Sequence, residues 1–127
     1  MAYLLDTNVV INYLGASLPV TGMDFLNSIV DSEPILSVVT KMETLGFNFK
    51  SSTEQNSMET FVNGSTILDL NNEIVNKTIA VRKSRKIKLP DAIIAATAMV
   101  YSLTIVSRNV SDFKNIQGLN FKNPWEL

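Results

Sequence analysis

Residues 1–14 read MAYLLDTNVVINYL. An apolar run at residues 2–5 meets a single carboxylate, Asp6, and a second apolar stretch follows at residues 9–14. The first run has the length of a short strand, so Asp6 is expected directly beyond the carboxyl end of that strand. In open α/β sheets, ligands bind beyond the carboxyl ends of the strands. This stretch therefore predicts an α/β fold with an acid placed to meet a ligand.

Three further short apolar runs have the character of strands. They lie at residues 34–39, 66–70 and 103–106, and most of them do not alternate apolar with polar positions. Strands covered by helices on both faces have this pattern, which is typical of parallel sheets. The chain is therefore predicted to be a single three-layer α/β/α domain over residues 1–127, with a central, mainly parallel sheet of four to five short strands.

The segments between the strands show helical spacing. Residues 91–101 are apolar nearly all round and predict a buried helix, whereas the polar residues 50–57 predict a loop between two helices. Two other helices are predicted from apolar residues that recur at helical intervals: Met42, Leu45 and Phe49, and then Ile74, Thr78 and Val81.

The composition excludes several classes of site. The chain has 127 residues, 46% of them hydrophobic, with no cysteine, no histidine and a net charge of −1. A catalytic triad with histidine, a thiolate metal site and a histidine-ligated zinc centre are therefore excluded. No apolar run approaches the roughly 18 residues of a membrane span. No basic stretch precedes the first apolar run, so a cleaved export signal is not expected. A cytoplasmic protein without membrane association is the expectation.

Four acids from separated segments are predicted on one edge of the sheet. Asp6 follows the first strand, and Glu43 lies near the start of the helix after the second strand. Asp91 opens the buried helix, and Asp112 lies in the loop after the run at residues 103–106. Converging carboxylates repel one another unless protons or a cation intervene. Mg²⁺ or Mn²⁺ would suit such a site, because both prefer oxygen ligands. Metal-dependent hydrolysis of a phosphodiester is therefore the hypothesis.

Each acid also has an ordinary structural interpretation. Asp6 could simply cap a helix that begins at Thr7, and Asp91 after Pro90 suits a helix start. Glu43 could be a helix-surface acid, and Asp112 a turn residue. The inference rests on their joint placement at one edge.

Four motifs spread over nearly the whole chain carry a family resemblance. They are LLDTNVVINYL at 4–14, SVVTKMETLGF at 37–47, LPDAIIAATA at 89–98 and IVSRNVSDF at 105–113. In this order they resemble the PIN domains, and in particular the VapC-type toxin ribonucleases. The resemblance implies Mg²⁺- or Mn²⁺-dependent cleavage of RNA, a cognate antitoxin protein that occupies the site, and commonly a homodimer.

The resemblance also implies roles for individual residues. Asp6, Glu43 and Asp91 match the core acids of the family, and Asp112 matches a fourth acid that is less uniform among members. Supporting polar positions are matched by Thr7, Asn8, Ser107 and Asn109; many members carry threonine where Ser107 stands.

One dense basic cluster immediately precedes Asp91, and we expect it to contact RNA phosphates. Its members are Arg82, Lys83, Arg85, Lys86 and Lys88. A solvated helix end is the alternative interpretation.

For the whole chain, three other functions stay open: a PIN-like module that binds RNA or protein without cutting, a receiver-type signalling domain with Asp69 as phospho-acceptor, and a haloacid-dehalogenase-like phosphatase. A receiver domain needs paired acids after the first strand, and here Asp6 is followed by Thr7. The phosphatase needs a second Asp at position 8, and this chain has Asn8.

Overall fold

A computed structural model describes residues 2–127. Five short strands alternate with seven helices in the described chain. The strands are β1 (Tyr3–Leu5), β2 (Ile35–Ser37), β3 (Thr66–Leu68), β4 (Thr104–Val106) and β5 (Asn120–Lys122). The helices are α1 (Thr7–Leu14), α2 (Val20–Ser32), α3 (Val38–Leu45), α4 (Ser52–Asn63), α5 (Asn72–Ser84), α6 (Leu89–Val100) and α7 (Val110–Phe113).

The strands form one parallel sheet in the order β3-β2-β1-β4-β5. β1 pairs with β2 on one side and with β4 on the other, with Leu5 opposite Val106 at the carboxyl ends of β1 and β4. The chain first builds the sheet outward through β2 and β3, and then returns to add β4 and β5 beside β1. The strand order therefore reverses between β1 and β4, the position at which open α/β sheets commonly bind ligands.

Helices cover both faces of the sheet, which confirms the predicted three-layer fold. Successive residues of β1 point to opposite faces, so Leu4 and Leu5 enter different cores. Leu4 packs with residues of α3, α5, α6 and α7, and Leu5 packs with residues of α1, α2 and α4. The predicted buried helix is α6, whose alanines at 92, 95, 96 and 98 are all fully buried.

Two sequence predictions about local structure were wrong. Residues 50–57 are not a loop, because α4 begins at Ser52 and is capped by the Ser51 side chain, which accepts a hydrogen bond from the Glu54 backbone N–H. The run at 34–39 is also not one strand. The Ser37 hydroxyl accepts from the Val39 backbone N–H and starts α3 there, so Glu43 lies in the second helical turn.

Other boundaries also differ from the predictions. β3 ends at Leu68 and β4 begins at Thr104, and α3 ends at Leu45, before Phe49. Met42 and Leu45 of α3 are exposed. The run at 103–106 is not the last strand, because β5 follows it; only Phe121 of that edge strand is apolar, so no apolar run marked it in the sequence. Among residues 2–127, none of the helices combines the length and the apolar character needed to span a bilayer.

Candidate active site

Asp6 lies at the crevice between β1 and β4. It directly follows β1, its backbone N–H donates to the Val106 carbonyl, and its side chain accepts the Thr7 backbone N–H at 2.9 Å, which caps α1. The Ser107 hydroxyl, fully buried at the end of β4, donates to the other carboxylate oxygen at 2.7 Å. Only 5% of the Asp6 surface is exposed. The capping role expected as an alternative is therefore real, and the second oxygen has a separate partner.

Glu43 is joined to the same edge through Thr7. The Thr7 hydroxyl donates to Glu43 Oε1 at 2.6 Å and lies 3.0 Å from the hydroxyl of Thr40. Thr40 and Glu43 are three residues apart on α3, so both face α1. Sequence reasoning did not identify Thr40, although its place one turn before the candidate acid could have indicated it.

The third and fourth acids lie beside each other. Asp91 lies in the first turn of α6, where Pro90 also stands, and its side chain lies next to the carboxyl group of Asp112 in α7. The Asn109 amide donates to Asp112 at 2.8 Å, while the Asn109 backbone N–H donates to the Ser107 hydroxyl at 2.9 Å. Ser107 and Asn109 therefore connect Asp6 to Asp112 through hydrogen bonds.

The electrostatic environment raises the pKa of Asp91 to about 6. Partial burial is the main cause, followed by the negative charges of Asp6 and Asp112, the hydrogen bond with Asp112 and the charge of Glu43. Near neutral pH Asp91 is therefore mostly ionised, and its charge is repelled by the neighbouring carboxylates.

Burial also raises the pKa of Asp6. The hydrogen bonds from Ser107 and from the Thr7 backbone oppose this rise, and the charges of Glu43 and Asp112 add to it. The charges of Glu43 and Asp112 therefore act on Asp6, and the charges of Asp6, Glu43 and Asp112 act on Asp91.

The chemistry of these groups fits a hard divalent cation. The candidate ligands are all carboxylate oxygens, and hydroxyl and amide groups hold three of them, Asp6, Glu43 and Asp112. Within the part of the chain that the structure describes, no three acidic side chains form a preformed metal-binding group.

The predicted basic cluster lies beside this edge, at the junction of α5 and α6. Arg82 and Lys83 occupy the last turn of α5, and Lys88 directly precedes α6, three residues before Asp91. Arg85 donates from Nη1 to the Lys114 carbonyl at 2.9 Å, so it has a structural contact, while Lys86 and Lys88 are exposed. Asn8 is also exposed, and its carbonyl accepts from the Asn12 amide.

A family model for the PIN domain matches residues 3–119, nearly the whole chain. The chain belongs to the PIN domain family. Membership of this family rules out the receiver-type and phosphatase alternatives. Asp69, the candidate phospho-acceptor, follows β3, which is separated from β1 by β2.

Solved toxin-antitoxin structures contain chains with the same fold. A chain of a toxin-antitoxin complex from Klebsiella pneumoniae is 27% identical, with 99% of this chain and 100% of that chain covered and a TM-score of 0.80. A chain of FitAcB from Neisseria gonorrhoeae is 26% identical, with 98% and 99% covered and a TM-score of 0.77. A chain of DNA-bound VapBC from Salmonella typhimurium is 23% identical, with 98% of both chains covered and a TM-score of 0.82. No curated protein sequence gives a significant match. The VapC-type PIN fold expected from the motifs is therefore confirmed.

Proposed function

We propose that this PIN domain is a metal-dependent endoribonuclease and the toxin of a toxin-antitoxin pair. PIN domains are generally nucleases. The observation that carries the proposal is the closeness of the acids at one edge: Asp6, Glu43 and Asp112 act on the charge of Asp91, and hydrogen bonds hold those three carboxylates in place. Carboxylates brought together in this way favour binding of a divalent cation.

Mg²⁺ or Mn²⁺ would be held by Asp6, Glu43 and Asp91, with Asp112 assisting directly or through water. When bound, the ion supplies activation of water and stabilisation of the charge that develops on the phosphoryl oxygens. The donor set consists of oxygen ligands alone, which is the preference of these two ions.

The polar neighbours of the acids act by positioning. Ser107 fixes one oxygen of Asp6, and Thr7 fixes Oε1 of Glu43. Asn109 holds Asp112 and also contacts Ser107. These bonds limit rotation of the carboxylates, so that less reorganisation is needed when a ligand arrives. Thr7 or Ser107 could also orient a water or a phosphate oxygen. Asn8 completes the supporting set implied by the family motif.

Two kinds of partner belong to this proposal. RNA would lie along the basic cluster formed by Arg82, Lys83, Arg85, Lys86 and Lys88, where phosphate contacts give salt-dependent affinity. A cognate antitoxin would cover the acids, by analogy with the toxin-antitoxin complexes whose chains share the fold. A homodimer and a cytoplasmic location remain predictions from the family motif.

Cleavage of RNA tests the function directly. We expect the purified protein to cut a mixed-sequence RNA with Mn²⁺ and to lose this activity with EDTA or in Asp6→Asn. Asp31→Asn is the matched control, because Asp31 is an exposed acid near the far end of α2 and should leave activity unchanged. Cleavage that survives both EDTA and Asp6→Asn would refute the metal mechanism. RNA binding without any cleavage would favour the non-cutting module instead.

A further inference from the structure

A second region of positive charge lies at the edge of the acid site, outside the predicted basic cluster. Arg108 stands between Ser107, which contacts Asp6, and Asn109, which contacts Asp112. Adjacent Cα atoms are about 3.8 Å apart, so the Arg108 backbone is next to both acid-holding residues. Its side chain is exposed.

An aromatic ring holds the Arg108 guanidinium in place. The guanidinium carbon lies 4.7 Å from the centroid of the Trp125 ring, a cation–π contact. A cation–π contact is made through the positive charge and takes up none of the five N–H donors of the guanidinium as hydrogen bonds. Within residues 2–127, these N–H groups have no hydrogen-bond or ion-pair partner. The side chain is therefore oriented and still has donors for an anion such as a phosphate.

The segment that carries Trp125 is itself fixed. Pro124 is buried, and its carbonyl oxygen packs so closely on Gly22 of α2 that a Cβ at position 22 would overlap it. The Trp125 backbone N–H donates to the Asn123 side chain at 2.9 Å, and its ring packs against the core formed with α1, α2 and α4. The ring under Arg108 is therefore part of the folded domain.

A neighbouring strand adds a second cation on the same side. Lys122 ends β5 opposite Val106, and its ammonium lies 5.1 Å from the centroid of the Phe25 ring on α2. The basic cluster at the α5–α6 junction borders the other core, since Val81 and Ile87 pack there. The acids therefore have positive charge on both faces of the sheet, although the net charge of the chain is −1.

We propose that Arg108, stacked on Trp125, binds a phosphate of the nucleic-acid strand on the β5 side of the acids. This inference rests on the proposed function, because RNA is taken as the ligand. Together with the α5–α6 cluster, Arg108 defines a path in which the strand crosses the acid edge between two cationic contacts. Arg108 is a positioning residue for the strand and not a metal ligand.

The test is RNA binding as a function of salt. The probe is a short, mixed-sequence, single-stranded RNA with a fluorescent end label, and every variant carries Asp91→Asn so that the probe stays intact. Arg108→Ala should weaken binding about tenfold, since a charged hydrogen-bond donor is lost. It should also reduce the slope of log K against log salt by about 0.7, the value for one phosphate of a single strand. Arg108→Lys should keep the slope and bind with intermediate affinity.

Three further variants separate stacking from charge. Trp125→Ala should weaken binding without changing the salt slope, because the charge remains while the side chain loses its orientation. Trp125→Phe keeps a ring and should bind nearly as well as the parent. Trp125→Leu keeps apolar bulk without a ring; it should bind as weakly as Trp125→Ala, and it tests the stacking claim if Trp125→Ala fails to fold. Lys50→Ala removes an exposed cation from the α3–α4 connection and is the matched charge control.

Failure of this inference and failure of the proposed function give different experimental results. If Arg108→Ala matches Lys50→Ala in affinity and slope while the protein without Asp91→Asn cleaves RNA with Mn²⁺, this inference is overturned and the proposed function stands. A protein that neither binds nor cleaves RNA overturns both. Equal binding by Trp125→Phe, the parent and a folded Trp125→Ala or Trp125→Leu overturns the stacking claim.

Discussion

Asp6 is the most deeply buried of the four acids at the edge of the sheet. A carboxylate with 5% exposure would be costly without partners, and here a backbone N–H and the Ser107 hydroxyl supply them. The sequence predicted where Asp6 lies, because a strand and a helix start flank it. It did not predict the contact with Ser107, which is 101 residues away along the chain.

The raised pKa of Asp91 gives the fold a specific pH dependence. The folded state holds this proton up to about pH 6, whereas the unfolded chain releases it near 3.8. The folded state therefore binds more protons in this window, and the free energy of unfolding should fall as the pH rises through it. In EDTA, urea unfolding should show that the stability advantage of Asp91→Asn over the parent grows from pH 4 to pH 6 and then levels off.

Asp31→Asn is the control for this measurement, since Asp31 lies outside the acid group. Its unfolding free energy should follow that of the parent across the same pH range. Parallel curves for Asp91→Asn and the parent would show that the Asp91 pKa is not raised in the folded protein.

At the scale of elements, capping residues and strand pairing set the boundaries of helices and strands that the apolar patterns did not predict. Ser37 ends β2 and starts α3, and Ser51 starts α4 inside a polar stretch that had been predicted as a loop. α6 was predicted well because its alanines make it apolar nearly all round. β5 was missed because an edge strand with one partly buried residue has no apolar run; its hydrogen bonds to β4 define it.

The contact between α2 and the C-terminal segment yields a prediction about packing. Gly22→Ala places a methyl group against the Pro124 carbonyl, and we expect a loss of about 1–3 kcal/mol in unfolding free energy. Trp125 is the only tryptophan, so its fluorescence should report displacement of the segment. Gly64→Ala is the control, because its Cβ would meet only Thr60 O at 3.4 Å and Phe61 O at 3.7 Å, and φ there is −86°. Unchanged fluorescence and stability in Gly22→Ala would contradict this packing.

At the scale of the whole molecule, the strand order explains why four distant acids meet. Asp6 and Ser107 follow the adjacent strands β1 and β4, and α6 runs antiparallel to β4, so Asp91 at its start lies at the same edge. Glu43 comes to that edge with α3 after β2. These neighbouring carboxylates do not stabilise the folded state by themselves, because like charges repel.

A cation should therefore change the stability of the entire domain. Binding only to the folded state at 100 times the dissociation constant would add about 2.7 kcal/mol, so Mn²⁺ should raise the melting temperature by several degrees. Asp6→Asn should lose this rise. Without metal it should melt at or above the temperature of the parent, because repulsion is relieved.

Asp31→Asn should respond to Mn²⁺ as the parent does, which would exclude a general effect of ionic strength. An equal rise in Asp6→Asn would place the cation elsewhere. A lower melting temperature of metal-free Asp6→Asn would mean that the hydrogen bonds of the Asp6 carboxylate outweigh the repulsion.

The sequence by itself determined the fold class and the family, and it predicted which four acids would meet at one edge, because strand-length apolar runs, helix starts and the order of the motifs are local features. Only the tertiary structure decided which polar group holds which acid: Ser107 on Asp6, Thr7 on Glu43 and Asn109 on Asp112. It alone also placed Arg108 on Trp125. Side-chain partners are chosen by distance in the folded chain, and strand order, which local patterns do not encode, sets those distances.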